Sequence, residues 1–250
     1  MDKDCIFISS SDNTIDVFEI VSQSYSKNIN LNSFDLLVGC NAKKEHIKVK
    51  QVLAEVSQWN KELLAQLNKI QSKYILLLLD DFYIYEFDNK NVSEAFSYSK
   101  EYSVDYLRIV KESKPFLISF FSFFFHNRTY KKINKNLPYY CALQPSIWKV
   151  EYLTSLLKKD INIWEFEEQI PLQANHMVVA KKSLIKFDHL VEKGKWKIEA
   201  PKILGLPKET FISRGFDQRL LKKYRVLRKI YFGFFGFTGY RLRKIISKYR

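Results

Sequence analysis

The adjacent residues Asp80 and Asp81 are the strongest candidates for chemistry in this sequence. They follow the apolar run 74–79, whose composition is typical of a strand buried on both faces of a parallel sheet. Two neighbouring carboxylates at the end of such a strand repel each other and are costly to desolvate unless a cation compensates their charge. Mg²⁺ or Mn²⁺, which carboxylates bind together with substrate phosphates, would supply that charge. An ordinary exposed turn is the alternative that the pair alone leaves open.

A polar segment, 9–13, follows another apolar run near the start of the chain, 5–8. Its Asp and Asn residues are good helix N-caps, so capping is one explanation for the segment. In an open parallel sheet, ligands bind beyond the carboxyl ends of the strands. The segments 9–13 and 80–81 are therefore the two places where we expect a ligand.

Apolar runs and helical periodicities alternate over the first 110 residues. This alternation predicts an α/β fold with a mostly parallel sheet and helices on both faces. Neither Gly-x-Gly-x-x-Gly nor Gly-x-x-x-x-Gly-Lys occurs, which argues against Rossmann dinucleotide enzymes and P-loop NTPases. The predicted strands are 5–8, 34–39, 47–52, 74–79 and 106–110, and the predicted helices are 15–25, 59–71 and 92–102.

Four short motifs occur in an order that resembles one bacterial enzyme family. They are Leu-Leu-Leu-Asp-Asp-Phe at 77–82, Leu-Gln-x-x-Ile-Trp at 143–148, Trp-x-Phe-Glu at 164–167 and Gly-Lys-Trp at 194–196. Their order resembles that of GT-A-type glycosyltransferases from gene clusters for capsule, O-antigen and other surface polysaccharides. Trp59 resembles a tryptophan that opens the helix before the acidic strand in that family. The resemblance covers about 6–196 and departs from the family pattern at 168–173 and in the Phe-rich run 115–125.

The resemblance implies a GT-A-like fold and the transfer of a sugar from a nucleotide-diphosphate sugar to a lipid-linked glycan. It implies that Asp81 binds a divalent cation, Mn²⁺ or Mg²⁺, and that Asp80 shares this metal or contacts the ribose. Capping remains the alternative for the residues near the N-terminus, and simple solvation is the alternative for Lys195. The residues assigned to the donor are Ser9, Ser10, Asp12, Trp59, Asp80 and Lys195.

The later motifs supply candidates for a general base and for acceptor contacts. An inverting transfer needs a carboxylate to take the proton from the acceptor hydroxyl, and Glu167 is the first candidate and Glu165 the second. In an extended segment these two residues would share one face, so the sequence does not separate them. An acidic surface turn is the alternative. Gln144, Trp148 and Trp164 are candidates for acceptor contacts, although either tryptophan could equally pack in the core.

The positive charge of the chain is concentrated at its C-terminal end. The whole sequence has 41 Lys and Arg against 27 Asp and Glu, and eleven of the basic residues but no acidic ones lie in 219–250. Apolar positions there keep helical spacing opposite the basic residues, a pattern typical of helices that lie on anionic membranes. A solvated helix packed on the body is one alternative, and nucleic-acid binding is another, less favoured one. The run 115–125, with six Phe, is either core or a second membrane contact.

These observations predict a GT-A-like domain, 1–213, followed by a basic amphipathic tail, 214–250. Within the domain, 1–110 would bind the nucleotide sugar and 111–213 the acceptor. The three cysteines lack metal or disulfide spacing and the N-terminus does not resemble a signal peptide, so we expect a cytoplasmic protein on the inner face of the cell membrane. The rival interpretation is a non-catalytic α/β binding module that its tail tethers to anionic membrane or nucleic acid.

Overall fold

The computed structural model describes residues 3–56, 58–111, 129–133, 141–158, 161–169, 176–192 and 194–217. The chain divides into two compact units, one formed by 1–111 and 129–189 and the other by 112–128 and 190–250. The predicted tail helices and the Phe-rich run 115–125 lie outside the described residues. The predicted domain boundary at 213 stays a prediction.

The first unit is built on an eight-stranded sheet with strand order β3-β2-β1-β4-β8-β6-β9-β7. A separate two-stranded sheet pairs β5 with β10. Five helices pack around these strands within the described part of the unit. The strands are β1 (Asp4–Ser9), β2 (Phe34–Cys40), β3 (Lys50–Leu53), β4 (Tyr74–Leu79), β5 (Phe82–Phe87), β6 (Tyr106–Arg108), β7 (Tyr130–Lys132), β8 (Ser146–Lys149), β9 (Met177–Ala180) and β10 (Ile185–His189). The helices are α1 (Ile15–Asn28), α2 (Trp59–Leu67), α3 (Asn89–Glu101), α4 (Val150–Leu157) and α5 (Ile163–Gln169).

Strands β3, β2, β1 and β4 are all parallel, so their carboxyl ends lie at one edge, which we call the carboxyl edge. The predicted α/β fold with a mostly parallel sheet is confirmed. Strand β8 is antiparallel to both β4 and β6 and lies between them. Its first residue, Ser146, is opposite Leu77 and Arg108. The segment that leads into β8 therefore reaches the sheet at the carboxyl edge.

The central strands are apolar along their whole length because both sheet faces are covered. Ile6, Phe7 and Ile8 of β1 are all fully buried although they alternate between the faces. On one face, Phe7 belongs to a core cluster that includes the fully buried Trp148. On the other face, α1 and α3 contribute buried aromatic and aliphatic side chains: Phe18, Val21, Tyr25, Val92 and Phe96.

Helix α1 fixes the position of the turn between β4 and β5. The hydroxyl of Tyr25 donates to the carbonyl of Leu79 at 3.2 Å. One turn further along, Asn28 Nδ2 donates to the carbonyl of Ile84 at 2.9 Å. Both contacts join one helix to the residues on either side of Asp80 and Asp81, so the helix holds the turn on both sides.

The second unit is described from 190 to 217 apart from residue 193. Its strands β11 (Val191–Glu192) and β12 (Lys195–Trp196) form a tight antiparallel pair, and Gly194 makes the turn with a φ of 76°. Trp196 is fully buried, with its ring 5.0 Å from that of Phe211, whereas Lys195 is exposed. The unit also contains α6 (Ala200–Leu204). No described helix of the chain is long and apolar enough to cross a membrane.

Candidate functional site

The two aspartates form the turn between β4 and β5, at the carboxyl edge. Asp80 Oδ2 accepts a hydrogen bond of 2.8 Å from the hydroxyl of Ser10, which lies 70 positions away in the sequence. Asp81 Oδ2 lies 3.3 Å from Nδ1 of His189, the last residue of β10. Burial raises the pKa of Tyr25 well above its ordinary value, and the nearby charges of Asp80 and Asp81 raise it further. Both predicted ligand-binding segments therefore meet at one place.

The acidic turn fits a divalent cation that is held jointly with substrate. Among the described residues, no group of three or more His, Cys, Asp or Glu side chains is arranged to hold a metal ion by itself. A cation that uses one or two carboxylates and takes its remaining ligands from phosphates and water does not need such a group. The side chains of Asp80 and Asp81 carry carboxylate oxygens of the kind that such a cation needs. Nothing in the sequence alone associates His189 with this turn.

The side chain of Asp12 connects the segments that follow β1 and β2. Its carboxylate accepts hydrogen bonds from the backbone N–H of Asn41 at 2.9 Å and of Ala42 at 3.3 Å, and from Lys44 Nζ at 2.6 Å. Burial alone would raise the pKa of Asp12, but these hydrogen bonds and the charge of Lys44 hold it below its ordinary value. Asp12 is therefore an ionised connector between two loops of the carboxyl edge. Ser9, the last residue of β1, is buried beside them.

Glu62 is a buried acidic residue near this edge that sequence reasoning missed. It lies on α2 with only 5% of its surface exposed, and burial is the main cause that raises its pKa to about 7. The charges of Asp12 and Asp80 raise this pKa further, while hydrogen bonds from Asn41 and Gln66 lower it. Glu62 lies three residues after Trp59, so both residues share the helix face that the apolar spacing predicts to be buried. This spacing was the signal in the sequence that Glu62 is buried.

The aromatic candidates occupy different environments. Trp148 is fully buried, with its ring 4.5 Å from that of Tyr106 and 6.1 Å from that of Phe166. Its faces are occupied by the core, so it is not available to stack on a sugar. Trp59 begins α2, is partly buried, and meets Phe166 edge to face at 5.4 Å. The side chain of Trp164 lies outside the described part of the structure.

The segment that contains Glu165 and Glu167, whose conformation the sequence left open, is a helix, α5. Residues two apart on a helix point about 200° apart around its axis, so the two carboxylates do not share a face. Glu165 Oε2 accepts from the backbone N–H of Asn162 at 2.8 Å, and Asn162 Oδ1 accepts from the N–H of Glu165 at 3.0 Å. This reciprocal pair is a capping box. The helix thus gives Glu165 a structural role and separates the two candidates.

Glu167 faces the segment that precedes β8. Its Oε1 accepts a hydrogen bond of 2.7 Å from the backbone N–H of Leu143. Because β8 begins at the carboxyl edge, Leu143 and the partly exposed Gln144 lie towards the same edge as Asp80. Glu167 and the acidic turn therefore both lie towards the carboxyl edge of the sheet.

Sequence reasoning also missed a buried arginine, Arg108, whose charge acts on the same thiol as the charge of Glu167. Arg108 ends β6 and its Nε donates to the hydroxyl of Tyr106 at 3.1 Å. Burial raises the pKa of the Cys141 thiol, while the charge of Arg108 lowers it and that of Glu167 raises it. Both charges therefore act on one buried thiol.

Known proteins resemble this chain in structure and not in sequence. No family model matches the sequence, and no curated protein matches it. Residues 1–349 of TarS from S. aureus, in complex with UDP-GlcNAc, share 15% identity with a TM-score of 0.50, over 78% of this chain and 60% of that one. Mannose-1-phosphate geranyltransferase from Thermus thermophilus shares 9% identity over 76% of each chain, with a TM-score of 0.42. The glycosyltransferase GlyE of Streptococcus pneumoniae shares 10% over 38% of this chain and 27% of that one, with a TM-score of 0.30.

The likeness to TarS is a likeness of fold. At 15% identity it supports the predicted α/β architecture and carries no residue assignment by itself. The match covers about three fifths of the solved TarS fragment. Any activity for this chain has to be argued from its own side chains.

Proposed function

We propose that this protein is a GT-A-type glycosyltransferase that moves a sugar from a nucleotide-diphosphate sugar to an acceptor hydroxyl. The observation that carries the proposal is the contact between Ser10 and Asp80, because it joins the ends of β1 and β4 beside a pair of carboxylates. An open α/β sheet binds its ligands at such an edge. The fold is shared with TarS, which has been solved in complex with UDP-GlcNAc.

The donor is proposed to lie along the carboxyl edge with its diphosphate at the acidic turn. Asp81, with Asp80 beside it, would hold Mn²⁺ or Mg²⁺, and the bound cation would neutralise the charge that develops on the diphosphate leaving group. Asp80 also accepts from Ser10, so the same carboxylate connects the metal position to the first loop. The other residues proposed to bind the donor are Ser9, Ser10, Asp12, Trp59 and Lys195.

Glu167 is the proposed general base. A base must lie within hydrogen-bond reach of the attacking hydroxyl, on the side opposite the leaving phosphate, if the transfer inverts the anomeric centre. Its hydrogen bond to Leu143 positions one carboxylate oxygen at the segment that contains Gln144, a proposed acceptor contact together with Trp164. Glu165 remains the second choice, because its carboxylate already caps α5.

The acceptor is proposed to be a lipid-linked glycan of a bacterial surface polysaccharide, such as a capsule or O-antigen. The basic residues of 219–250 support this, since each Lys or Arg close to an anionic surface contributes about 1 kcal/mol to binding. The proposed location is therefore peripheral, on the inner face of the cell membrane. The alternative is a non-catalytic module that the same tail tethers to anionic membrane or nucleic acid.

Thermal melting with a panel of nucleotide sugars and Mn²⁺ tests the proposed activity, since a ligand that binds only the native state must stabilise it. We expect one donor to raise the melting temperature and to be consumed in a metal-dependent reaction. Asp81→Ala should abolish this turnover while the protein stays folded. The matched control is Asp35→Ala, which removes an exposed carboxylate on β2, outside the carboxyl edge, and should retain turnover. Full turnover by Asp81→Ala would refute the assignment, and no stabilisation by any nucleotide sugar would favour the non-catalytic module.

A further inference from the structure

The side chain of Asn41 joins three loops at the carboxyl edge. Its Oδ1 accepts a hydrogen bond of 2.7 Å from the backbone N–H of Asp12, in the loop after β1. Its Nδ2 donates to the carbonyls of Ala54 at 3.1 Å and Val56 at 2.8 Å, which follow β3. Since Asn41 itself follows β2, one amide group links the ends of three neighbouring parallel strands.

The loops after β1 and β2 are also joined by contacts that do not involve this amide group. The backbone N–H of Asn41 donates to Asp12 Oδ1 at 2.9 Å, and Lys44 Nζ lies 2.6 Å from Asp12 Oδ2. Gln51 of β3 binds the backbone of Lys44 on both sides, since its Oε1 accepts from the N–H at 2.8 Å and its Nε2 donates to the carbonyl at 2.7 Å. We therefore expect these two loops to keep their fold when the side chain of Asn41 is removed.

The chain between β3 and α2 depends more directly on Asn41. The N–H of Ala54 donates to the carbonyl of Cys40 at 2.9 Å and extends the pairing of β2 with β3 by one residue. Beyond that point, the carbonyl of Val56 accepts from the side chain of Asn41. Helix α2 begins at Trp59, three residues after Val56. The bond from Asn41 to Val56 therefore ties the start of α2 to the loops after β1 and β2.

We propose that Asn41 is a positioning residue that holds Trp59 and the loop after β1 at the spacing that the nucleotide sugar needs. The consequence for binding rests on the proposed function, whereas the connection between the loops is a property of the free protein. Ser10 and Asp12, two other proposed donor contacts, lie in the loop that Asn41 holds. Without the side chain, the nucleotide sugar has to order the chain before α2 when it binds, so the apparent affinity falls with the fraction of molecules in which that chain is already in place.

Hydrogen exchange of the free protein tests the connection between the loops. Asn41→Ala removes every side-chain bond, whereas Asn41→Asp keeps an oxygen acceptor for the N–H of Asp12 and loses the donor to Ala54 and Val56. We expect the Val56 amide, which donates to the carbonyl of Ala54 at 2.8 Å, to exchange faster in both variants, and the Asp12 amide to do so in Asn41→Ala only. Wild-type exchange of the Val56 amide in either variant would refute the positioning role, because the chain before α2 would then be held without Asn41.

Calorimetric titration with UDP-GlcNAc, at a fixed pH and a fixed Mn²⁺ concentration, tests the consequence for binding. The Kd should rise about tenfold in Asn41→Ala, an effect of the size that the loss of hydrogen bonds between neutral groups produces. The fraction of molecules that bind should stay the same. The matched control is Asn32→Ala, which changes an exposed asparagine ahead of β2, at the opposite edge of the sheet, and should keep the Kd within about twofold of the wild type.

The titration also separates positioning from a merely structural role. A merely structural role would lower the melting temperature of Asn41→Ala and the fraction of molecules that bind, at an unchanged Kd, and that result would overturn the inference. It would leave the proposed function standing, because the wild type still binds. If no nucleotide sugar binds to the wild type, the proposed function fails, and the exchange of the Val56 and Asp12 amides alone decides whether Asn41 positions the loops.

Discussion

Replacing Glu62 by glutamine should remove a specific pH dependence from the stability of the protein. The pKa of Glu62 is about 7 in the folded chain, against an ordinary value of 4.5. Between these two pH values the folded state keeps a proton that the unfolded state has lost, so stability falls as the pH rises from about 4.5 to 7 and is level above that. A shift of this size corresponds to at most about 3 kcal/mol, which is roughly 6–12 °C in melting temperature for a chain of this length.

The assay is urea unfolding of wild type, Glu62→Gln and the exposed control Glu55→Gln at pH 5, 6, 7 and 8. The stability advantage of Glu62→Gln over wild type should be small at pH 5 and should grow until about pH 7, while Glu55→Gln follows the wild type. Parallel curves for wild type and Glu62→Gln from pH 5 to 8 would mean that Glu62 does not titrate there. In that case the reasoning from its burial would be refuted.

Two further predictions concern the core and the tail. Trp148→Ala should cost about 3–5 kcal/mol of unfolding free energy, because the side chain is fully buried against Tyr106 and Phe166; a loss below about 1 kcal/mol in urea unfolding would contradict its place in the core. Deletion of 219–250 should release the protein from anionic liposomes in a co-sedimentation assay, because it removes eleven basic residues and no acidic ones. If the shortened protein still sediments with the liposomes, the membrane contact lies elsewhere, and the Phe-rich run 115–125 is then the first place to look.

The sequence was most informative where the local pattern determines the structure. The apolar run 74–79 was predicted as a central strand and is β4 with the same bounds, because a strand covered on both faces needs apolar residues at every position. The juxtaposition of 9–13 with 80–81 also followed from the pattern, since parallel strands end at one edge. The contact of Ser10 with Asp80 shows this meeting at the level of single atoms.

Other features depend on contacts between distant residues and could not be predicted. The antiparallel insertion of β8 between β4 and β6 depends on pairing over about 70 residues, for which the apolar pattern is the same in either direction. His189 reaches Asp81 from 108 residues away, and nothing in the local sequence marks that contact. Burial of Glu62 depends on neighbours that other elements supply, so the local sequence does not show how its carboxyl group is accommodated.

The helix that contains Glu165 and Glu167 had a signal in the sequence that was overlooked. The spacing Asn162-x-x-Glu165 is that of a capping box, and it predicts the start of a helix in a segment whose conformation was left open. Recognition of this spacing would have separated the two glutamates, because a capping carboxylate and a residue two positions later point in different directions. Glu167 would then have been favoured for the base on geometric grounds, with Glu165 second.

The central claim is that the acidic turn holds a divalent cation together with a nucleotide diphosphate. A crystal structure of the protein with Mn²⁺ and the nucleotide sugar that gives the largest rise in melting temperature tests this most directly. We predict the diphosphate at the carboxyl edge, between the ends of β1 and β4, with Mn²⁺ bonded to Asp81 and to phosphate oxygens. A nucleotide bound at any other place, or Asp81 still against His189 with no metal beside it, would contradict the claim.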